Sequence, residues 1–187
     1  MYGISRYGRF LSAIGLLICL LLSTVVAAEG VPSGLSDYRL GAGDQLQIRV
    51  FGEDDLSFKE RLSDAGTISY PFLGELQVLG LRLGELEALI TRGLKGPYLV
   101  NPSVNVTILE YRQFYINGEV KKAGGYAFRP GLTMRKAVAV AGGFAERAAR
   151  GQVFVLRDSS SSGKPQPMGL NTLVMPGDII NVEESFF

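Results

Sequence analysis

Apolar residues along this chain change period several times, and each change marks an element. After a short stretch of turn formers, Gly30 to Asp37 (GVPSGLSD), the segment YRLGAGDQLQIRVF alternates Leu46, Ile48 and Val50 with Gln45, Gln47 and Arg49. Period two with one apolar face predicts a strand, opened by the turn dipeptide Gly43-Asp44. Residues 61–74 (RLSDAGTISYPFLG) predict a turn at Asp64-Ala65-Gly66 and a strand through Ile68 and Tyr70. Pro71 belongs at that strand's end or edge, because it has no N–H to give a ladder. From Leu83 to Leu94 the period lengthens: Leu83, Leu86, Leu89, Ile90 and Leu94 form the stripe of an amphipathic helix, with Gly84 and Gly93 weakening its ends. Asn101-Pro102 breaks the chain before SVNVTILEY, where Val104, Val106 and Ile108 alternate again.

The stretch from Phe114 to Phe144, FYINGEVKKAGGYAFRPGLTMRKAVAVAGGF, predicts a strand, a turn, a second strand and a short helix. Thr133 is the expected N-cap, Met134, Ala137, Val138 and Ala141 the apolar face, and Gly142-Gly143 a left-handed C-cap. QVFVLR then predicts a strand with Val153 and Val155 on one face, residues 158–169 (DSSSSGKPQPMG) a polar flexible loop, and MPGDIINVEE a last strand. This strand echoes the first: both follow Gly-Asp, with Leu46 matched by Ile180 and Ile48 by Val182. Gly-Asp turns before strands are common, so the echo lends modest support to two β-rich units of similar construction. The expected fold class is α+β, with units at 38–111 and 112–187.

The N-terminus has its own pattern. Arg6 and Arg9 precede an apolar run from Phe10 to Val26, no acidic residue occurs before Glu29, and Val26-Ala27-Ala28 offers small residues at −3 and −1. Residues 1–28 therefore predict a cleaved signal peptide, with 29–37 as a linker. An uncleaved anchor is the rival, since the run approaches the lower limit for a span. Cys19, the only cysteine, follows Leu17-Ile18 where a lipobox needs small residues, so lipidation is not expected. Loss of residues 1–28 leaves 17 of the 19 Lys+Arg against all 18 Asp+Glu. That balance gives no reason to expect nucleic acid or an anionic membrane surface as a partner.

The candidate chemistry is sparse. Histidine is absent, which removes the usual general base and the commonest metal ligand together. Glu53-Asp54-Asp55 and Glu183-Glu184 are expected on solvated surface, although a carboxylate pair across a cleft would suit glycoside hydrolysis. KKAGGY and AGGF lack the Lys-Ser/Thr of a P-loop, and the glycines of LGAGD precede a strand where a dinucleotide fingerprint precedes a helix. Lys121-Lys122 and Arg135-Lys136 are candidate contacts to an anionic glycan, against the plainer reading of basic groups kept for solubility. No cofactor is expected.

These segments together resemble bacterial polysaccharide export proteins of the outer-membrane auxiliary class. YRLGAGDQLQIRVF, DAGTISYPFLGELQVLG, the helix after Gly80 and NPSVNVTI are similar to their polysaccharide export domain. NGEVKKAGGYAFRPGLTMRKAVAVAGGF and MPGDIINV resemble a soluble-ligand-binding β-grasp (SLBB) domain. The resemblance implies an exported protein that assembles as a homo-oligomeric ring and conducts capsule or exopolysaccharide without catalysis. An inner-membrane chain-length regulator of tyrosine-kinase type is the implied partner. Larger members continue into further SLBB units and an amphipathic membrane helix, whereas this sequence ends at Ser185-Phe186-Phe187. A short periplasmic component with a separate outer-membrane β-barrel partner is therefore expected, with Phe186 and Phe187 as candidate docking residues. Two other readings stay open: a monomeric glycan- or small-ligand-binding protein, and a structural envelope adaptor.

Overall fold

In the computed structural model, which describes residues 37–157 and 163–185, the first alternating segment is strand β1 (Gln45–Val50). It lies between β2 (Phe58–Arg61) and β5 (Val104–Glu110) in a three-stranded antiparallel sheet of order β2-β1-β5. Ile48 faces Phe58 on one side and Val106 on the other, so the apolar positions of β1 share one buried face. A second hairpin, β3 (Thr67–Tyr70) with β4 (Gly74–Gln77), adds Ile68 and Tyr70 to the same core.

Helix α1 (Leu83–Leu94) buries Leu86, Ile90 and Leu94, the three-to-four stripe expected of it. The Glu85 carboxylate accepts the Arg82 N–H at 2.8 Å and so satisfies one orphan donor at the helix start. Glu87 ties the helix to the sheet: its Oε1 accepts the Val106 N–H at 2.8 Å.

The second core is built on five strands in the order β7-β6-β10-β8-β9. These are β6 (Phe114–Gly118), β7 (Gly124–Tyr126), β8 (Gln152–Leu156), β9 (Gln166–Gly169) and β10 (Ile179–Val182). The last strand, β10, runs parallel to β6 and antiparallel to β8. Helix α2 (Met134–Val140) packs Met134, Ala137 and Val138 onto Phe114, Ile116, Val153 and Ile180. Thr133 caps its start, the hydroxyl accepting the Lys136 N–H at 3.4 Å. At the other end the Gly143 N–H reaches the Val138 carbonyl at 2.9 Å and the Gly142 N–H the Ala139 carbonyl at 3.0 Å, both glycines at positive φ. This pair of bonds is a Schellman motif. The fold is α+β, with each helix covering a predominantly antiparallel sheet.

One expectation needs correction. Within the predicted loop 158–169, Gln166–Gly169 forms edge strand β9, with Val153 opposite Met168 and Val155 opposite Gln166. The ladder bonds of β8 supply the order that the polar sequence does not advertise. The predicted signal segment with Cys19, most of the linker, residues 158–162, and Phe186 and Phe187 lie outside the described residues.

Candidate functional site

Two Gly-Asp turns organise the molecule, and they are built alike. In the first, Asp44 is fully buried; its Oδ2 accepts the Gly41 N–H at 2.8 Å while its own N–H reaches the Gly41 carbonyl at 3.1 Å. In the second, Asp178 is buried; its Oδ2 accepts the Met175 N–H at 2.8 Å while its N–H reaches the Met175 carbonyl at 3.1 Å. The intervening Gly43 and Gly177 have φ of 90° and 85°, a conformation that disfavours any side chain. Each carboxylate also faces an arginine: Arg112 Nη1 lies 3.7 Å from Asp44, and Arg157 Nε lies 3.2 Å from Asp178. The sequence echo thus has a structural counterpart in the turns, although the strands that follow pair differently.

The first turn does more than start a strand. Asp44 Oδ1 accepts the backbone N–H of Arg112 at 2.7 Å, in the segment that joins the two cores. Tyr38 donates its hydroxyl hydrogen to Asp44 at 2.6 Å and accepts from Arg112 Nη1 at 3.0 Å. The guanidinium also lies over the Tyr38 ring, 5.7 Å from its centroid. A Cβ on Gly41 would fall within the Arg112 guanidinium, so the close approach requires glycine there. Burial, reinforced by the hydrogen bond into Asp44, pushes the Tyr38 phenol well above its ordinary value and keeps it a neutral donor.

Tyr111 joins the cores by packing. It meets Tyr38 edge-on at 5.2 Å and Phe128 edge-on at 5.3 Å, and belongs to the periphery of both clusters. Its phenol is also raised, by burial and then by the Asp44 charge. Beside this junction opens a groove of about 970 Å³. Arg61, Glu110, Tyr115, Phe128 and Arg129 are among its lining residues. Arg61 and Glu110 are paired across 2.8 Å. Guanidinium, carboxylate and phenol groups around aromatic rings can hold a polyhydroxylated chain by hydrogen bonds and stacking.

The basic pairs singled out in the sequence are exposed but lie apart. Arg135 and Lys136 occupy the first turn of α2, and Lys136 Nζ donates to the Gly131 carbonyl at 3.3 Å. Lys121 and Lys122 lie against the opposite end, their N–H groups bonded to the Gly143 and Ala141 carbonyls. Asp44, Tyr38 and Arg112 were invisible as a group, since 68 residues separate Asp44 from Arg112. The one available signal was the repeated Gly-Asp. Among the described residues no group of His, Cys, Asp and Glu could hold a metal ion, and no helix is long and apolar enough to cross a membrane.

Residues 33–109 match the polysaccharide biosynthesis/export protein family model, and residues 113–169 match the SLBB domain. The chain belongs to the polysaccharide biosynthesis/export family. Among its relatives is the exopolysaccharide production protein ExoF of Rhizobium meliloti (strain 1021), 33% identical over 160 residues, covering 78% of this chain and 37% of that protein. The polysialic acid transport protein KpsD of Escherichia coli is 29% identical over 109 residues, or 57% of this chain and 20% of that one. The EPS I polysaccharide export outer membrane protein EpsA of Ralstonia nicotianae (strain ATCC BAA-1114 / GMI1000) is 26% identical over 181 residues, with shares of 79% and 47%. The chain therefore spans less than half the length of each of these relatives.

Proposed function

We propose that this protein is a periplasmic, ring-forming component of a capsule or exopolysaccharide export machine that conducts the polymer without altering it. The observation that carries this reading is the tandem of an export domain and an SLBB domain, in a chain whose relatives are named for polysaccharide production, transport and export. The junction supports it physically: a buried carboxylate spent on backbone N–H groups and a neutral phenol holds shape, and offers neither nucleophile nor base.

In this reading successive protomers meet through unlike faces, as ring closure requires. The partners are the polysaccharide, an inner-membrane chain-length regulator of tyrosine-kinase type and an outer-membrane β-barrel protein. Lys121-Lys122 and Arg135-Lys136 act at opposite ends of α2 as contacts to an anionic glycan. A second reading, a monomeric glycan-binding protein, draws on the groove beside Tyr111 and Arg129.

Native mass measurement of the protein extracted from the cell envelope separates the two. Export through a ring predicts a defined multiple of the protomer mass. A strictly monomeric species under all conditions contradicts the ring.

A further inference from the structure

The β3–β4 hairpin turns through Pro71, Phe72 and Leu73, closed by the Leu73 N–H to the Tyr70 carbonyl at 3.2 Å. Proline second and positive φ third is the pattern of a type II turn, whose third position favours glycine or asparagine. Phe72 occupies it at φ 65°, the one non-glycine residue at positive φ among the described residues. The backbone strain is not offset by burial of the ring, because Phe72 is 67% exposed. Leu73 helps to fix this arrangement by turning inward against Gly93 of α1, where an added Cβ would meet its Cδ1 at 2.7 Å. A strained aromatic held toward solvent calls for a functional explanation.

Phe72 is not alone. Tyr98 lies against it, ring centroids 5.1 Å apart and planes tilted by 32°, and donates its hydroxyl hydrogen to the Phe72 carbonyl at 3.2 Å. Tyr98 is itself 47% exposed, on a loop fastened to the end of α1 through the Leu94 carbonyl. Gly74 and Gly96 leave open space beside the hairpin and the loop, since an added Cβ at either would meet nothing. The loop also exposes Lys95, Asn101 and the apolar Val100.

We propose that Phe72 and Tyr98 form an aromatic ledge on which sugar rings of the exported polysaccharide stack. The inference rests on the polysaccharide-conducting function proposed above and assigns a contact to it. The electron-rich ring face attracts the electropositive C–H face of a pyranose, while Lys95 and Asn101 supply hydrogen bonds to its hydroxyls. A protein-docking hot spot favours a continuous apolar centre, whereas on this loop the exposed Tyr98 and Val100 are interspersed with exposed Lys95, bare Gly96 and exposed Asn101. Stacking is tolerant of sugar identity, which suits a moving polymer.

The test titrates the full purified protein with cellohexaose and follows aromatic NMR signals. Shifts concentrated on the Phe72 and Tyr98 rings are expected, with binding weakened roughly five- to tenfold by Phe72→Gly and by Tyr98→Ala. Phe72→Gly is expected to keep the melting midpoint, because glycine relieves the positive φ as the ring contact is lost. Absence of those shifts, or unchanged binding in both variants, overturns the ledge. Loss of oligomer mass by Phe72→Gly with cellohexaose binding intact assigns the pair to a protein contact and also overturns it. In cells, a strain lacking the gene is the control. If that strain still exports polymer, the underlying function fails. If it does not, while both variants export normally, the ledge alone fails.

Discussion

The carboxylate of Asp44 accepts the backbone N–H of Arg112 at 2.7 Å, and this one bond fastens the opening turn of the export domain to the segment entering the SLBB domain. Two further donors, Tyr38 and the Gly41 N–H, reach the same buried group. Asp44→Ala would strand all three and leave Arg112 facing an apolar side chain. The expected loss is about 3 kcal/mol or more of unfolding free energy, measured by urea denaturation. A change below about 1 kcal/mol would show that water replaces the carboxylate without cost.

Asp178 makes the matching prediction for the second core. Its carboxylate holds the Met175 N–H and faces the Arg157 Nε, in the turn that immediately precedes β10. Asp178→Ala is expected to cost about 2–4 kcal/mol, and amide hydrogen exchange should quicken in β6, β8 and β10 before it does in β1. Equal quickening throughout would mean that the two cores open as one unit.

Gly118 ends β6 at φ 81°, and a Cβ there would strike the Val182 carbonyl of β10. Gly118→Ala is expected to destabilise by about 2–3 kcal/mol, combining backbone strain with a clash against main chain that cannot swing aside. Thermal unfolding of the variant beside Gly143→Ala, where the space is open and only the positive φ resists, separates the two causes. Equal losses would exclude the clash.

Alkaline pH should unfold the protein through its buried phenols. Burial pushes Tyr70 up to about 12, and Tyr38 is raised further by burial and by its bond to Asp44. A raised folded-state value means that the fold favours the protonated phenol. The contribution is complete below the unfolded value near 10 and declines as pH rises from there toward about 12 for Tyr70. Each tyrosine adds a slope of up to about 1.4 kcal/mol per pH unit across that window. Urea midpoints measured between about pH 9 and 11.5 should fall, and Tyr70→Phe should fall less steeply. Identical profiles for wild type and variant would contradict the assignment.

Where a short-range rule governed the backbone, the sequence disclosed the fold. The spacing from Leu83 to Leu94 announced α1, the alternation at Leu46, Ile48 and Val50 announced β1, and Thr133 with Gly142-Gly143 announced both ends of α2. Strands held mainly by their neighbours were silent. FKER, GELQ and QPMG carry no clean alternation, and become β2, β4 and β9 because β1, β3 and β8 offer them ladder bonds. Gly43-Asp44 was legible as a turn, but its carboxylate's reach to Arg112 depends on how distant segments meet. Phe72 at positive φ was illegible for a different reason: the local rule argues against an aromatic there.

The central claim, conduction of polysaccharide, is tested most directly by deleting the gene and measuring polymer on the surface and in the periplasm. The account predicts that surface polysaccharide falls sharply while polymer is retained inside the envelope, and that the intact gene restores export. Unchanged surface polysaccharide in the deletion strain would contradict it.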